Sequence, residues 1–202
     1  GIPEAIFAEG KALSHLHDVI REHIDRNAPL LITRLTPAQI DGLRDLPLSV
    51  DDLGRTATLD APEPDHDAPV VAIVTAGTSD LSVAREAEVA ANFMGLRTEL
   101  IADVGVAGLW RLEAHLPALT AHRLIIAVAG MEGALFSVLA GLVTAPIIAV
   151  PTSVGYGVAK DGSVALGSAL GGCAPGVVCV NIDNGFGAAA AAAKILNIAQ
   201  AL

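Results

Sequence analysis

The most constraining feature of the sequence is the segment 70–80, where an apolar run leads directly into a turn of small residues. The run Val-Val-Ala-Ile-Val is rich in β-branched residues, which is typical of a strand buried on both faces. After the turn, apolar residues recur at spacings of three and four, which indicates a helix. They are Val83, Ala87, Ala90, Ala91 and Met94. We predict a strand, a tight loop and a helix with Ser79 or Asp80 as N-cap. This loop is either an anion pocket or an ordinary βα connection.

The same alternation continues to the end of the chain. Apolar runs predict strands at 70–76, 97–104, 123–129, 146–150 and 177–182. Helical patterns lie between and after them, at 80–94, 108–119, 133–142, 162–171 and 186–201. Repeated βα units of this kind predict an α/β fold with a doubly wound parallel sheet, covered by helices on both faces.

The chain divides into two parts joined by a linker. The pattern of residues 1–59 predicts a small α+β block. It consists of an amphipathic helix at 9–27, a strand at 30–34 and a short helix capped by Thr36. Residues 60–69 contain three prolines and several ionisable side chains, which is typical of a linker. The parallel sheet belongs to residues 70–202.

Composition excludes some classes of function. The net charge of −10 argues against binding to nucleic acid. Residues 133–159 carry no charge, but prolines and glycines interrupt them, so we expect no membrane span. Two cysteines and the lack of a signal-peptide pattern suggest a cytoplasmic protein. The helices at 133–142 and 185–202 have almost no charged side chains, which predicts self-association.

Four loops are expected at the carboxyl edge of the sheet, where ligands of such folds bind. They are residues 76–80, 129–133, 151–157 and 183–187, and each has a glycine beside a polar residue. Together they predict a site rich in backbone N–H donors and poor in cations. The sequence has no Walker motif and no Gly-x-Gly-x-x-Gly after its first strand, which disfavours ATP hydrolysis and a standard dinucleotide dehydrogenase.

Three side chains are candidates for chemistry. Cys173 lies in a glycine-flanked loop before the last strand, where it is either an exposed nucleophile or a small packed thiol. Cys179 lies within that strand and is interpreted as a packed thiol. Glu132 is either a general base or a charge that complements a helix dipole. Asp80 is either a capping residue or a ligand for substrate or metal.

These segments resemble a known family. Residues 77–80, Gly-Thr-Ser-Asp, are similar to the turn of the class I PurE carboxylases, and the whole chain resembles the LarB family of nickel-pincer cofactor synthesis. The matching segments are 1–7, 9–11, 74–80, 105–109, 128–134, 150–157, 173–177 and 181–187. The resemblance implies a PurE-like domain with flavodoxin-like strand order behind a distinct N-terminal block.

The resemblance also implies an activity. LarB-like enzymes carboxylate C5 of the pyridinium ring of nicotinic acid adenine dinucleotide and hydrolyse its phosphoanhydride, which releases AMP. By this resemblance Cys173 is the nucleophile. For the proton transfer that this chemistry needs we assign Glu132, and for contacts to the ring carboxylate, CO₂ or a metal we assign Asp80 with Ser79. The expected substrate-binding residues are Thr75, Gly77, Thr78, Ser79, Gly130, Met131, Thr152, Ser153, Gly155, Asp183 and Asn184.

The resemblance implies further properties of the enzyme. Mg²⁺ is expected and no organic cofactor, with CO₂ or bicarbonate as co-substrate. The chains are expected to form a homo-octamer with sites near subunit interfaces, and the stripe Leu13, Leu16, Ile20 and Ile24 to pack on a neighbouring chain. Two alternatives stay open: a PurE-type mutase acting on aminoimidazole ribonucleotide, and a non-catalytic nucleotide-binding module.

Overall fold

The computed structural model describes residues 2–64, 66–67 and 69–201, with side chains to residue 197. The N-terminal block is a four-stranded sheet with two helices. Its strands are β1 (Ala5–Phe7), β2 (Leu30–Thr33), β3 (Ser49–Asp51) and β4 (Thr56–Leu59), in the order β1-β2-β4-β3. The helices are α1 (Leu13–Asp25) and α2 (Pro37–Leu43). The predicted capping role of Thr36 is confirmed, because its hydroxyl accepts a hydrogen bond from the backbone N–H of Gln39.

The middle of the apolar stripe of α1 packs inside its own block. Leu16 and Ile20 are fully buried in the core of their own block, beneath the strands β2 and β4. The prediction that the stripe mediates assembly is therefore wrong for Leu16 and Ile20, and stays a prediction for Leu13, which is exposed, and for Ile24. The block is large enough to bury one helix face by itself, because its sheet supplies Leu30, Ile32 and Ala57 as packing partners.

The C-terminal domain is a five-stranded, all-parallel sheet. Its strands are β5 (Val70–Thr75), β6 (Arg97–Ile101), β7 (Ile125–Ala129), β8 (Ile147–Pro151) and β9 (Val177–Cys179). The order β6-β5-β7-β8-β9 confirms the predicted doubly wound, flavodoxin-like fold. Its helices are α3 (Leu81–Phe93), α4 (Leu109–Leu119), α5 (Ala134–Leu142), α6 (Ser163–Gly171) and α7 (Gly185–Ala201). None of the helices in the described part of the chain combines the length and the apolar character needed to cross a membrane.

Alternation along the strands sends side chains to two separate cores. Ile73 and its neighbours pack against α3 and α7 on one face, while Val74 and its neighbours pack against α4, α5 and α6 on the other. Both faces are dry, which explains why these strands are continuous apolar runs. Strand β9 ends at Cys179, three residues before the predicted end. Beyond it, the Asn181 side chain accepts a hydrogen bond from Ile182 N–H and turns the chain.

The N-terminal block packs on α3, close to the carboxyl edge of the parallel sheet. Leu31 of β2 belongs to the same core cluster as the inner face of α3. Two ion pairs also join the parts: Arg85 with Asp51, and Arg34 Nε with Glu86 Oε2 at 2.9 Å. This docking brings side chains of the N-terminal block to the edge where the predicted site lies.

Candidate active site

The predicted loops do meet at the carboxyl edge of the sheet. The chain passes from β5 to β6 on one side and then to β7 on the other, so a crevice opens between the ends of β5 and β7. A cavity of about 270 Å³ occupies this crevice. The predicted residues Gly77, Ser79, Asp80, Gly130, Met131 and Glu132 line it, with Gly105 and Val154 among their neighbours.

Asp80 links three of these loops. It is only 3% exposed, its Oδ1 accepts a hydrogen bond from the Thr152 hydroxyl at 2.7 Å, and its Oδ2 accepts one from Gly77 N–H at 2.9 Å. Burial raises the pKa of Asp80, while the hydrogen bonds from Thr152, Gly77 and the Gly130 backbone act in the opposite direction. Its side chain does not cap α3; it closes the 3₁₀ turn Thr78–Asp80 that precedes the helix. Since both oxygens have donors, Asp80 positions the loops around the cavity.

The loop after β7 combines a close backbone approach at Gly130 with a left-handed backbone conformation at Met131. A Cβ on Gly130 would lie 2.2 Å from the Val154 carbonyl oxygen, so this position requires glycine. Met131 has a φ of 52° and donates its N–H to the same carbonyl at 2.8 Å. This geometry places Glu132 at the cavity wall, exposed and just before the first turn of α5. A carboxylate at a helix N-terminus is electrostatically favoured and here is open to a bound molecule.

The loops after β8 and β9 support each other. Asp183 has a φ of 56°, and its Oδ1 accepts a hydrogen bond from Ser153 N–H at 2.8 Å. Asn184 accepts a hydrogen bond from Gly187 N–H at 2.8 Å, which makes it a cap of α7. A Cβ on Gly155 would lie 2.3 Å from the Ala159 carbonyl oxygen, so this glycine permits a close turn.

Thr75 and Thr78, like the predicted residues of the loops after β8 and β9, lie outside the lining of this cavity. Thr75 is fully buried, and its hydroxyl accepts a hydrogen bond from Asp103 N–H at 3.1 Å. Thr78 is exposed in the 3₁₀ turn. Thr75 therefore holds the loop that follows β6 against β5, which is a structural task.

Cys173 is exposed, but it lies away from this cavity. It belongs to the loop that precedes β9, and the carbonyl of Gly176 in that loop accepts a hydrogen bond from Ile147 N–H at the start of β8. It therefore lies toward the amino edge of the sheet, whereas Glu132 is at the carboxyl edge, and a five-residue strand separates these edges by about 16 Å. Cys179 is half-buried, and burial raises the pKa of its thiol. One chain does not bring Cys173 to Glu132.

The N-terminal block supplies cations that the sequence analysis missed. Arg34 and Arg55 line a second cavity of about 190 Å³, together with Ser82, Glu86 and Asp183. Ser79 and Val154 line both this cavity and the first, so the two cavities adjoin. The prediction of a cation-poor site considered the C-terminal domain alone and is wrong for the folded chain.

The donor set for a metal is sparse. Among the described residues, no three His, Cys, Asp or Glu side chains are grouped so as to hold a metal ion. Mg²⁺ is often held by one or two carboxylates together with substrate phosphates, and such a site needs no protein cage. Asp183, which lines the second cavity, fits that kind of site.

Comparison with known proteins agrees with this architecture. Residues 70–202 match the AIR carboxylase family, and residues 1–60 match the LarB/PurE-like N-terminal domain. An uncharacterised protein of Methanocaldococcus jannaschii is 36% identical over 98% of this chain and 80% of its own length.

Solved structures support the fold of the second domain. Treponema denticola PurE and a substituted form of PurE2 from the same organism superpose with a TM-score of 0.52 each, at 23% and 24% identity. They cover 64% and 65% of this chain, respectively, and in each case 81% of their own chain. The protein is therefore a carboxylase-type member of the LarB family, with a LarB/PurE-like N-terminal domain joined to an AIR carboxylase domain.

Proposed function

We propose that this protein carboxylates C5 of the pyridinium ring of nicotinic acid adenine dinucleotide and hydrolyses the phosphoanhydride. The products are pyridinium-3,5-biscarboxylic acid mononucleotide and AMP, and the product mononucleotide serves nickel-pincer cofactor synthesis. The observation that carries the proposal is the cavity between β5 and β7. It presents an exposed carboxylate, Glu132, beside backbone amides, and none of the described residues that line it is histidine. A PurE-type reaction on aminoimidazole ribonucleotide would use a histidine, so this lining favours the pyridinium reaction.

The chemistry needs a reversible nucleophile and a base. A pyridinium ring is too electron-poor to attack CO₂ until the thiolate of Cys173 adds to C4, which makes C5 an enamine carbon. C5 then forms a bond to CO₂, Glu132 removes the C5 proton, and the returning electron pair expels the thiolate and restores the aromatic ring. Water adds to the phosphoanhydride in the second reaction. Mg²⁺ held by Asp183 and substrate phosphates would spread the charge of that step.

The position of Cys173 implies that the site is shared between chains. Cys173 and Glu132 lie toward opposite edges of the sheet, so the thiol that reaches a given cavity comes from a second copy. Exposed apolar side chains near Cys173, Leu170 at 71% and Val178 at 54%, support an interface there. Closed symmetry is the usual form of such assemblies, and we propose the octamer of PurE-like proteins.

The direct test is incubation with nicotinic acid adenine dinucleotide, bicarbonate and Mg²⁺, followed by mass spectrometry for the carboxylated mononucleotide and AMP. Cys173→Ser should abolish carboxylation and leave the circular dichroism spectrum unchanged. Cys179→Ser is the matched control, because its thiol is half-buried in β9, and it should keep most of the turnover. Turnover of aminoimidazole ribonucleotide in place of the dinucleotide would refute the proposal and favour the PurE-type reaction.

A complementation experiment tests the shared site. Cys173→Ser and Glu132→Gln should each be inactive, but co-expressed chains should recover about a quarter of the wild-type activity, because random mixing leaves that share of interfaces intact. Failure to recover activity in mixed oligomers, with mixing verified by native mass spectrometry, would mean that both residues act within one chain.

A further inference from the structure

The second cavity lies where the N-terminal block meets the carboxyl edge of the parallel sheet. Its volume is about 190 Å³, and its wall combines Arg34 and Arg55 from the block with Ser82, Ser153 and Asp183 from the C-terminal domain. It adjoins the cavity of Glu132, since Ser79 and Val154 line both, and this places the two cavities within reach of one elongated ligand.

Arg34 and Arg55 both have a left-handed backbone conformation. Arg34 has a φ of 59° and Arg55 a φ of 54°, a conformation that residues other than glycine seldom adopt. Strands β2 and β4 pair with Ile32 opposite Ala57, and continuing that register places Arg34 opposite Arg55. Leu35 N–H donates to the Arg55 carbonyl at 2.9 Å, and Arg55 Nε donates to the Leu35 carbonyl at 2.7 Å. These hydrogen bonds hold the two arginine backbones side by side at the ends of their strands.

The two guanidinium groups have different partners. Arg34 is paired with Glu86, which is only 4% exposed, and it also donates to the Asp183 carbonyl. Arg55 donates its side-chain hydrogen bond to a neutral carbonyl. Burial raises the pKa of Glu86 and the nearby charge of Arg55 acts in the opposite direction, but the described residues show no ion pair between these two side chains. Within the described residues its two Nη atoms donate to no other group. Arg55 is therefore a half-buried cation whose planar donor pair is available to a bound anion.

We infer that Arg55 binds a phosphate group of the substrate nucleotide, in the cavity between the two domains. The inference rests on the proposed function for the identity of the nucleotide, since a dinucleotide has a ring for the first cavity and a phosphoanhydride for the second. The hydroxyls of Ser82 and Ser153 supply further donors.

Calorimetric titration of the full chain with three probes tests this inference. The probes are AMP, inorganic pyrophosphate and adenosine, which lacks phosphate. Arg55→Gln should weaken the binding of AMP and pyrophosphate by about tenfold or more, as expected for a charge-assisted hydrogen bond, and leave adenosine unchanged. Arg55→Lys keeps the charge and should lose less affinity than Arg55→Gln.

Arg44→Gln is the matched control. Arg44 lies in the same block and pairs with Asp41 and Asp52, but it is outside the cavity. This variant removes the same charge and should bind all three probes like the wild type. The inference is overturned if wild-type protein binds neither phosphate probe, if Arg55→Gln binds them normally, or if Arg44→Gln loses as much affinity. The two proposals can fail separately. If Arg55→Gln selectively loses phosphate binding but the wild-type protein makes no carboxylated product, the phosphate site is supported and the proposed reaction is refuted.

Discussion

The hydrogen bond between Thr152 and Asp80 joins the end of β8 to the turn after β5, and its contribution can be isolated by one substitution. Thr152 is fully buried, and its hydroxyl lies 2.7 Å from Asp80 Oδ1. Thr152→Val keeps the shape of the side chain and removes the donor. A hydrogen bond to a carboxylate contributes about 1.5–3 kcal/mol, so we expect the free energy of unfolding at neutral pH to fall by that amount.

Thr56 provides an internal control. It is also fully buried, but its hydroxyl oxygen has no hydrogen-bond partner within the described structure. Thr56→Val should therefore leave the stability unchanged or increase it by up to about 1 kcal/mol, because a buried hydroxyl without a partner is unfavourable. The comparison separates the effect of the lost hydrogen bond from that of replacing a hydroxyl with a methyl group.

The stability difference should also depend on pH. Burial raises the pKa of Asp80, and the Thr152 hydrogen bond lowers it, so Thr152→Val should raise this pKa further. The loss of stability in Thr152→Val is then complete above the pKa that Asp80 has in the variant. It disappears as the pH falls below the pKa that Asp80 has in the wild type. Urea unfolding followed by circular dichroism, at one protein concentration from pH 4 to 8, measures the difference in unfolding free energy between the wild type and the variant. Equal losses in Thr152→Val and Thr56→Val, or a loss independent of pH, would refute the reasoning.

Three further predictions concern catalysis, linkage and assembly. Glu132→Gln should accumulate a cysteine adduct of the substrate, visible by intact-protein mass spectrometry; full turnover in this variant would assign the base elsewhere. Burial raises the pKa of Glu86, so its stabilising contribution is present at low pH and lost as the pH rises through that pKa. Glu86→Gln should therefore show a flatter dependence of the urea midpoint on pH, and an unchanged slope would contradict this. Light scattering at micromolar concentration should give the mass of eight chains, and a monomer would exclude the shared site.

The parallel sheet could be predicted from the sequence because its signals are local. Each strand is a short apolar run followed within a few residues by a helical pattern. The local sequence therefore indicates which segments are buried on both faces of the sheet. The helices α3 to α7 begin and end within two residues of the predicted bounds. The glycine-containing loops could be predicted to meet at one edge, since every βα turn of a parallel sheet lies at the carboxyl ends of its strands.

The contacts inside the site required the tertiary structure. Asp80 and Thr152 are 72 residues apart, and Arg34 reaches the Asp183 carbonyl across 149 residues. No local pattern pairs such residues, because their distance depends on how sheets, helices and the N-terminal block pack. The arginines of the second cavity were missed for this reason.

The fold class and the carboxylase-type family could therefore be predicted from the sequence, whereas the geometry of the site could not. Cys173 and Glu132 could be recognised as residue types suited to nucleophilic and base chemistry, and their family resemblance is a property of the sequence. Their placement toward opposite edges of one sheet follows from strand direction and order. Hydrophobic periodicity determines which segments become strands and helices, but only the packed structure decides which distant polar groups share a cavity.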